Sequence, residues 1–187
     1  MGSREFRLSA TLALGREHVM PTALEVFERH HRAVFRFLQR LEGSAEEAED
    51  LAQEVFLRVL RAMDGYEERQ LERAWVFRIA RNVWLDHRRA RARVPPCEPL
   101  DDVHVVRFPT GQTSGMALDE ALARLGDDER DAFLLREVGG LGYLEIAEVT
   151  GATPGAVRSR IHRARLALRK TLASVQSTRD AVNEQER

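Results

Sequence analysis

Glu145-Ile-Ala-Glu-Val-Thr-Gly-Ala-Thr-Pro-Gly-Ala-Val-Arg158 is the stretch from which the fold can be read. A short helix from Tyr143 to Thr150 meets Gly151, which can take the left-handed conformation that ends a helix. Thr153-Pro154 then supplies an N-cap and a favoured first-turn proline for a second, longer helix. That helix buries Val157, Ile161, Ala164, Leu168 and Leu172 at helical spacing. Ala147 is small enough to let the two helices cross closely, and the whole reads as a helix-turn-helix. The second helix carries Arg158, Arg160, Arg163, Arg165, Arg169 and Lys170, with no acid between Pro154 and Lys170. Gly155, Ser159, His162 and Arg163 face away from the buried stripe, and Arg158 lies on its flank. Such positions near a helix start meet base edges, while neighbouring arginines hold phosphates.

Upstream of this unit, Met116 to Leu125 reads as one helix. Asp127 can cap another that runs through Phe133 and Leu134 to Val138, with a Gly139–Gly142 turn after it. Val94-Pro95-Pro96 opens a stretch rich in Pro, Gly, Thr and Ser that predicts a linker over 94–115. Beyond Ser174 the chain is polar and is expected to fray, leaving a tail over 176–187.

The first half predicts three helices after an N-terminal extension, 1–20. One has Leu24, Phe27, Val34, Phe35, Leu38 and Leu41 on its apolar face, up to a break at Gly43. Ser44, with Glu47 three residues on, starts the next in capping-box spacing. Its stripe is Ala48, Leu51, Ala52, Val55, Phe56, Val59 and Leu60, and Asp64-Gly65 ends it. Tyr66 to Leu71 reads as a polar loop. The third helix buries Ala74, Phe77, Ala80, Val83 and Trp84, and Phe77 and at least one tryptophan are expected in the core.

Charge is sorted along the chain, so the formal net charge of −1 over 187 residues hides its character. From Glu42 to Glu54 there are six acids and no Lys or Arg. From Glu72 to Arg93 there are seven arginines against two acids, interleaved with Trp75, Phe77 and Trp84. Phosphate-holding cations beside aromatics suit single-stranded nucleic acid. An acidic face gains nothing against phosphate and suits solvent or a basic protein partner.

Cys97 is the only cysteine, which excludes an intrachain disulfide and a thiolate metal cluster and fits a reducing cytoplasm. His30, His31, His87, His104 and His162 lack metal-ligand companions at suitable spacing. No Gly-rich phosphate loop or nucleophile motif is present, so neither a metal, a cofactor nor an enzyme is expected. No apolar run reaches the roughly 20 residues a membrane crossing needs. The Leu8–Leu14 stretch after Arg4 and Arg7 is too short and broken for a signal peptide.

Asp50-Leu-Ala-Gln-Glu-Val-Phe-Leu-Arg-Val, Ala74-Trp-Val-Phe-Arg-Ile-Ala-Arg-Asn and Glu145-Ile-Ala with Val157-Arg-Ser-Arg-Ile-His-Arg-Ala-Arg together resemble the extracytoplasmic-function (ECF) sigma factors, the smallest members of the sigma-seventy family. The resemblance runs from about Ala23 to Leu172. It implies an all-α chain of two small helical domains: region 2, a three- or four-helix bundle at 21–93, and region 4, a helix-turn-helix domain at 116–175, joined by a flexible linker. It further implies that Asp50, Gln53, Glu54 and Phe56 dock on the clamp helices of the polymerase β′ subunit, with region 4 on the β flap. The loop Asp64–Leu71 and Arg78, Arg81, Asn82, Arg88 and Arg89 would open and read the minus-ten element. Thr153, Arg158, Ser159, His162, Arg163 and Arg165 would read the minus-thirty-five element as duplex. Core RNA polymerase, promoter DNA and an anti-sigma protein are the implied partners. Leu125-Gly126-Asp127 stands where the family usually has Leu-Pro, and Thr153-Pro154-Gly155 replaces a more polar tip. The alternative is a helix-turn-helix regulator with an N-terminal sensor or dimerisation module. Before polymerase joins, the linker is expected to leave the two modules unaligned.

Overall fold

A computed structural model describes residues 21–66, 71–93 and 113–185, and among them every regular element is helical. The extension 1–20, the loop centre 67–70, the linker residues 94–112 with Cys97, and the last two residues lie outside the described residues.

α1 (Ala23–Glu42) begins at a capping box: Thr22 Oγ1 accepts from the Glu25 amide at 3.2 Å, and the Glu25 carboxylate accepts from the Thr22 amide at 2.7 Å. Gly43 closes it at φ 80°. Ser44 caps α2 (Ala45–Ala62), which ends in a 3₁₀ turn at Met63–Gly65. α3 (Glu72–Arg93) packs on both, burying Ala74, Val76, Phe77, Ala80, Val83 and Trp84. Phe77 meets Phe37 edge-on with ring centroids 5.4 Å apart. His30 is buried, its Nε2 2.5 Å from Glu72 Oε1, so α1 is tied polar-to-polar to the start of α3.

The stripe expected on α1 is only half right. Val26, His30, Val34, Phe37, Leu38 and Leu41 fill the buried face, whereas Leu24 is 64% and Phe27 42% exposed. Leu60 of α2, also expected inside, is 59% exposed. Each helix has more apolar residues than one inward stripe can hold, and the surplus makes a second face.

α4 (Thr113–Ala123) starts three residues before the expected Met116. At α5 (Asp127–Glu137) Gly126, not Asp127, occupies the N-cap. Asp127 is the first helical residue and its carboxylate is engaged elsewhere, accepting from Arg88 at 2.9 Å. α6 (Tyr143–Thr150) ends at Gly151, φ 69°, and Thr153 Oγ1 accepts from the Ala156 amide at 3.2 Å to cap α7 (Pro154–Gln185). α7 continues past Ser174, where fraying was expected, because neither Gly nor Pro interrupts the chain between there and Gln185.

The two helical groups are packed together rather than unaligned: α3 lies on α6, α1 on α5, and one apolar cluster spans from Val26 to Leu168. The turn after α5 shows why it is made of glycine. A Cβ on Gly139 would fall 2.6 Å from the Leu135 carbonyl oxygen and 3.2 Å from the Phe77 ring. Gly140 has φ 68°, with an Arg73 guanidinium nitrogen 2.8 Å from where its Cβ would be. The turn therefore seats directly on α3. Arg136 braces it, donating to the Leu141 carbonyl at 2.7 Å.

Candidate nucleic-acid interface

Val157, Ile161, Ala164 and Leu168 of α7 are buried as the sequence pattern requires, and this fixes what faces outward. Arg158, Ser159, His162, Arg163 and Arg165 are all exposed. Ser159 donates its hydroxyl to the Gly155 carbonyl at 3.1 Å, and the Arg158 guanidinium lies 5.9 Å from the centre of the Tyr143 ring. Arg163 Nε is 2.6 Å from Glu129 Oε1, and Arg165 is 2.6 Å from Glu137, whose hydrogen bond raises the pKa of that guanidinium further. Thr153 is spent as the cap. These residues lie on the exposed surface near the start of α7.

On α3 the expected residues divide. Asn82 and Arg89 are exposed, with Arg89 Nη1 3.3 Å from Asp86 of its own helix. Arg78 lies 3.9 Å from Glu148 of α6. Arg88 bonds Asp127 and sits 4.8 Å from the Trp84 ring centre. Arg81 is the most enclosed, its side chain 17% exposed and its Nε 2.5 Å from Asp131 Oδ2. Asp131 is itself 4% exposed at its side chain, and burial pushes its carboxyl pKa up against the opposing pull of Arg81. Trp84 is core; Trp75 is half-buried, its ring 4.7 Å from that of Tyr66. Tyr66, Leu71, Ala74, Trp75, Arg78 and Glu148 line a cavity of about 400 Å³ beside the loop expected to meet the melted strand.

The acidic helix α2 presents Asp50 and Gln53 to solvent, and Glu54 accepts from Arg58 at 2.7 Å. The bonds from Glu54 and Asp86 hold the Arg58 pKa above its usual value. Phe56 is half-buried, edge-on to Phe27 at 4.9 Å. Leu24, Phe27, Gln53, Phe56, Leu57 and Leu60 bound an open apolar groove of about 420 Å³. Sequence reasoning missed its leucines by assigning Leu24 and Leu60 to the core. The surplus of apolar residues on both helices was the available signal.

It also missed α5. Within five residues, Asp127, Asp128, Glu129 and Asp131 give one acidic helix start that lies between α3 and α7 and pairs with arginines of both. Four acids in five residues were visible as a charge run, but not what they face. A third grouping was hidden by distance along the chain: Glu42, Glu47 and His87 come within 4.8 Å of one another. Arg91 supplies the cation there, 3.0 Å from Glu47 and 3.4 Å from Glu42. Burial pushes the Glu42 carboxyl up, with His87 opposing it.

The family model for Sigma-70 region 2 matches residues 26–94, and that for Sigma-70 region 4 matches 115–168. ECF RNA polymerase sigma factor SigE of Mycolicibacterium smegmatis is 37% identical over 169 residues, which is 86% of this chain and 65% of that relative. ECF RNA polymerase sigma factor SigM of Mycobacterium tuberculosis is 32% identical over 149 residues, covering 79% of this chain and 76% of the relative. The chain belongs to the ECF sigma factors. A solved sigma factor, RpoE of Bartonella quintana in complex with the anti-sigma factor NepR, superposes with a TM-score of 0.68 at 27% identity, over 79% of this chain and 94% of that one. CnrH, solved in complex with the cytosolic domain of CnrY, gives a TM-score of 0.62 at 22% identity, over 81% and 88%, and shares the fold. Membership sets aside the alternative of a regulator with a sensor module. Among the described residues of this sigma factor, no helix is long and apolar enough to cross a membrane.

Proposed function

We propose that this ECF sigma factor attaches to core RNA polymerase through the α1–α2 groove and its acidic rim, and directs the enzyme to promoter DNA through α3 and α7. One observation carries the reading: the exposed apolar groove, with Gln53 in its wall and Asp50 and Glu54 on the same helix, is lined by no residue of either arginine-bearing helix. An apolar centre with a charged rim is the anatomy of a protein interface, and the basic faces are left for phosphate and bases. Region 2 would span 21–93 and region 4 116–175. The division of labour within the template follows from side-chain type. The cavity beside Trp75 and Tyr66 suits an unstacked base, which an aromatic wall can hold against the few kcal/mol of unstacking. Asn82, Arg78 and Arg88 would hold the melted strand there. Arg158, Ser159, His162 and Arg163, on the outer face of a capped helix, suit the major groove of paired DNA.

An anti-sigma partner is part of the same reading. RpoE, solved with an anti-sigma factor bound, is similar over most of this chain, which supports a partner of that kind. Cytoplasmic placement follows from work on the template.

The test is run-off transcription with core polymerase on a promoter library. Wild-type protein should start RNA at discrete positions. The pair Leu57→Glu and Leu60→Glu, at exposed positions, should keep the fold while weakening polymerase binding about a hundredfold, because two charges then face an apolar partner. Asp50→Lys with Glu54→Lys should weaken it less. A wild-type chain that neither co-elutes with sigma-free polymerase nor starts RNA anywhere overturns the proposal.

A further inference from the structure

We infer that Glu42, Glu47 and His87 form a binding site for a divalent transition-metal ion, zinc by its ligand chemistry, that joins α1, α2 and α3.

One ligand atom from each of the three side chains lies within 4.8 Å of the other two. A tetrahedral zinc site holds its donors about 3.3 Å apart. Closing each gap by at most about 1.5 Å therefore completes three protein positions and leaves a fourth for water. The donor set is mixed: two carboxylates with an imidazole suit zinc, whereas magnesium and calcium take oxygen ligands. Sequence spacing gives His87 no companion. The fold supplies two, because Glu42 is the last residue of α1, Glu47 is in the first turn of α2, and His87 lies on α3.

Local rules do not account for this grouping. A first-turn acid complements the α2 dipole, which explains Glu47. Glu42 ends α1, where the dipole disfavours an anion, and its side chain is only 6% exposed. The guanidinium that reaches it, Arg91 at 3.4 Å, is 58% exposed and lies closer to Glu47, at 3.0 Å. A buried carboxylate thus has a loose, solvated counter-charge. The imidazole adds an independent observation: His87 Nε2 is buried and has no hydrogen-bond partner. A ring nitrogen withdrawn from water beside two carboxylates is left unsatisfied by the protein, and a metal ion satisfies it. Arg91, near the end of α3, is free to swing into solvent as the ion enters. Arg130 of α5 and Glu42 also feel each other's charge, which holds the affinity below that of a closed structural zinc site. An ion bound only by the folded chain stabilises it by mass action, so zinc supply sets how firmly the three helices hold together.

The test titrates ZnCl2 into the full-length protein by calorimetry, with MgCl2 as control, and follows thermal unfolding. Wild type should take up a single Zn2+ in the micromolar range. Saturating zinc should raise its melting midpoint by about 5–10 °C, and Mg2+ should not. His87→Gln and Glu47→Gln should each weaken zinc binding about a hundredfold. The Glu47 side chain is 40% exposed, so its variant separates lost binding from lost fold. Arg91→Ala should tighten binding about tenfold, because it removes the cation that competes for both carboxylates. Cys97→Ser and His31→Gln should bind as wild type does. Affinity unchanged by Glu47→Gln, or lost with Cys97→Ser, overturns the site, as does a folded wild type that takes up no zinc.

Discussion

α3 and α7 are both arginine helices, yet their cations are restrained in different ways. On α7, Arg160, Arg163 and Arg165 find Asp128, Glu129 and Glu137 on α5, within the same helical group. On α3, Arg78, Arg81 and Arg88 find their carboxylates across the junction, on α6 and α5. The α7 pairs therefore persist whenever α4–α7 is folded, while these three α3 pairs exist only while the two groups touch; Arg89 and Arg91 pair within the first group. Enclosure differs too. Arg81 and Asp131 are largely withdrawn from water, whereas Arg163 stays 57% exposed. Exposed pairs of the second kind are worth about 0–1 kcal/mol; an enclosed one resists separation more, because either partner left alone is costly.

Four substitutions probe this contrast, the largest effect first. Phe77→Ala removes a fully buried ring that packs on Phe37 and lies under the Gly139 turn. It should cost about 3–5 kcal/mol and loosen the junction as well as the α1–α3 core. Ile161→Ala, at a buried position of α7, which packs chiefly on α4, α5 and α6, should lower the melting of that group more than that of α1–α3. Calorimetry that found the same single transition shifted equally by both would erase the distinction.

Arg163→Ala should reduce initiation at its best promoters by about 1–3 kcal/mol of discrimination. Non-specific duplex binding should fall much less, by run-off yield set against affinity for random duplex. Equal losses would make Arg163 a phosphate contact only. The smallest effect is expected at Thr153→Ala. It removes the hydroxyl that accepts from the Ala156 amide and should cost about 0.5–2 kcal/mol of stability, read as a lowered denaturation midpoint with the junction pairs intact. A variant that instead opened the junction would tie the α7 cap to α3.

Local chemistry made most of the elements readable. Ser44, Gly151 and Thr153-Pro154 act within a few residues of themselves, so the helix ends they set could be found without the fold. The buried stripe of α7 and the core of α3 were legible for the same reason: helical periodicity is a property of consecutive residues. Where a side chain's fate depended on a distant partner, the reading failed. Asp127 looked like a cap and is an ion-pair partner of Arg88; Leu24 and Leu60 looked like core and line an open groove.

The amino-acid order by itself determined the helices among the described residues, the ends set by Ser44, Gly151 and Thr153, the helix-turn-helix and the sorting of acid and base along the chain, because propensity, periodicity and capping are short-range. Only the tertiary structure decided which apolar residues stay outside, that α5 lies between two basic helices, and that Arg81 is enclosed with Asp131. Those outcomes depend on which surfaces meet across 28 to 70 residues of chain, and no local rule encodes such a meeting.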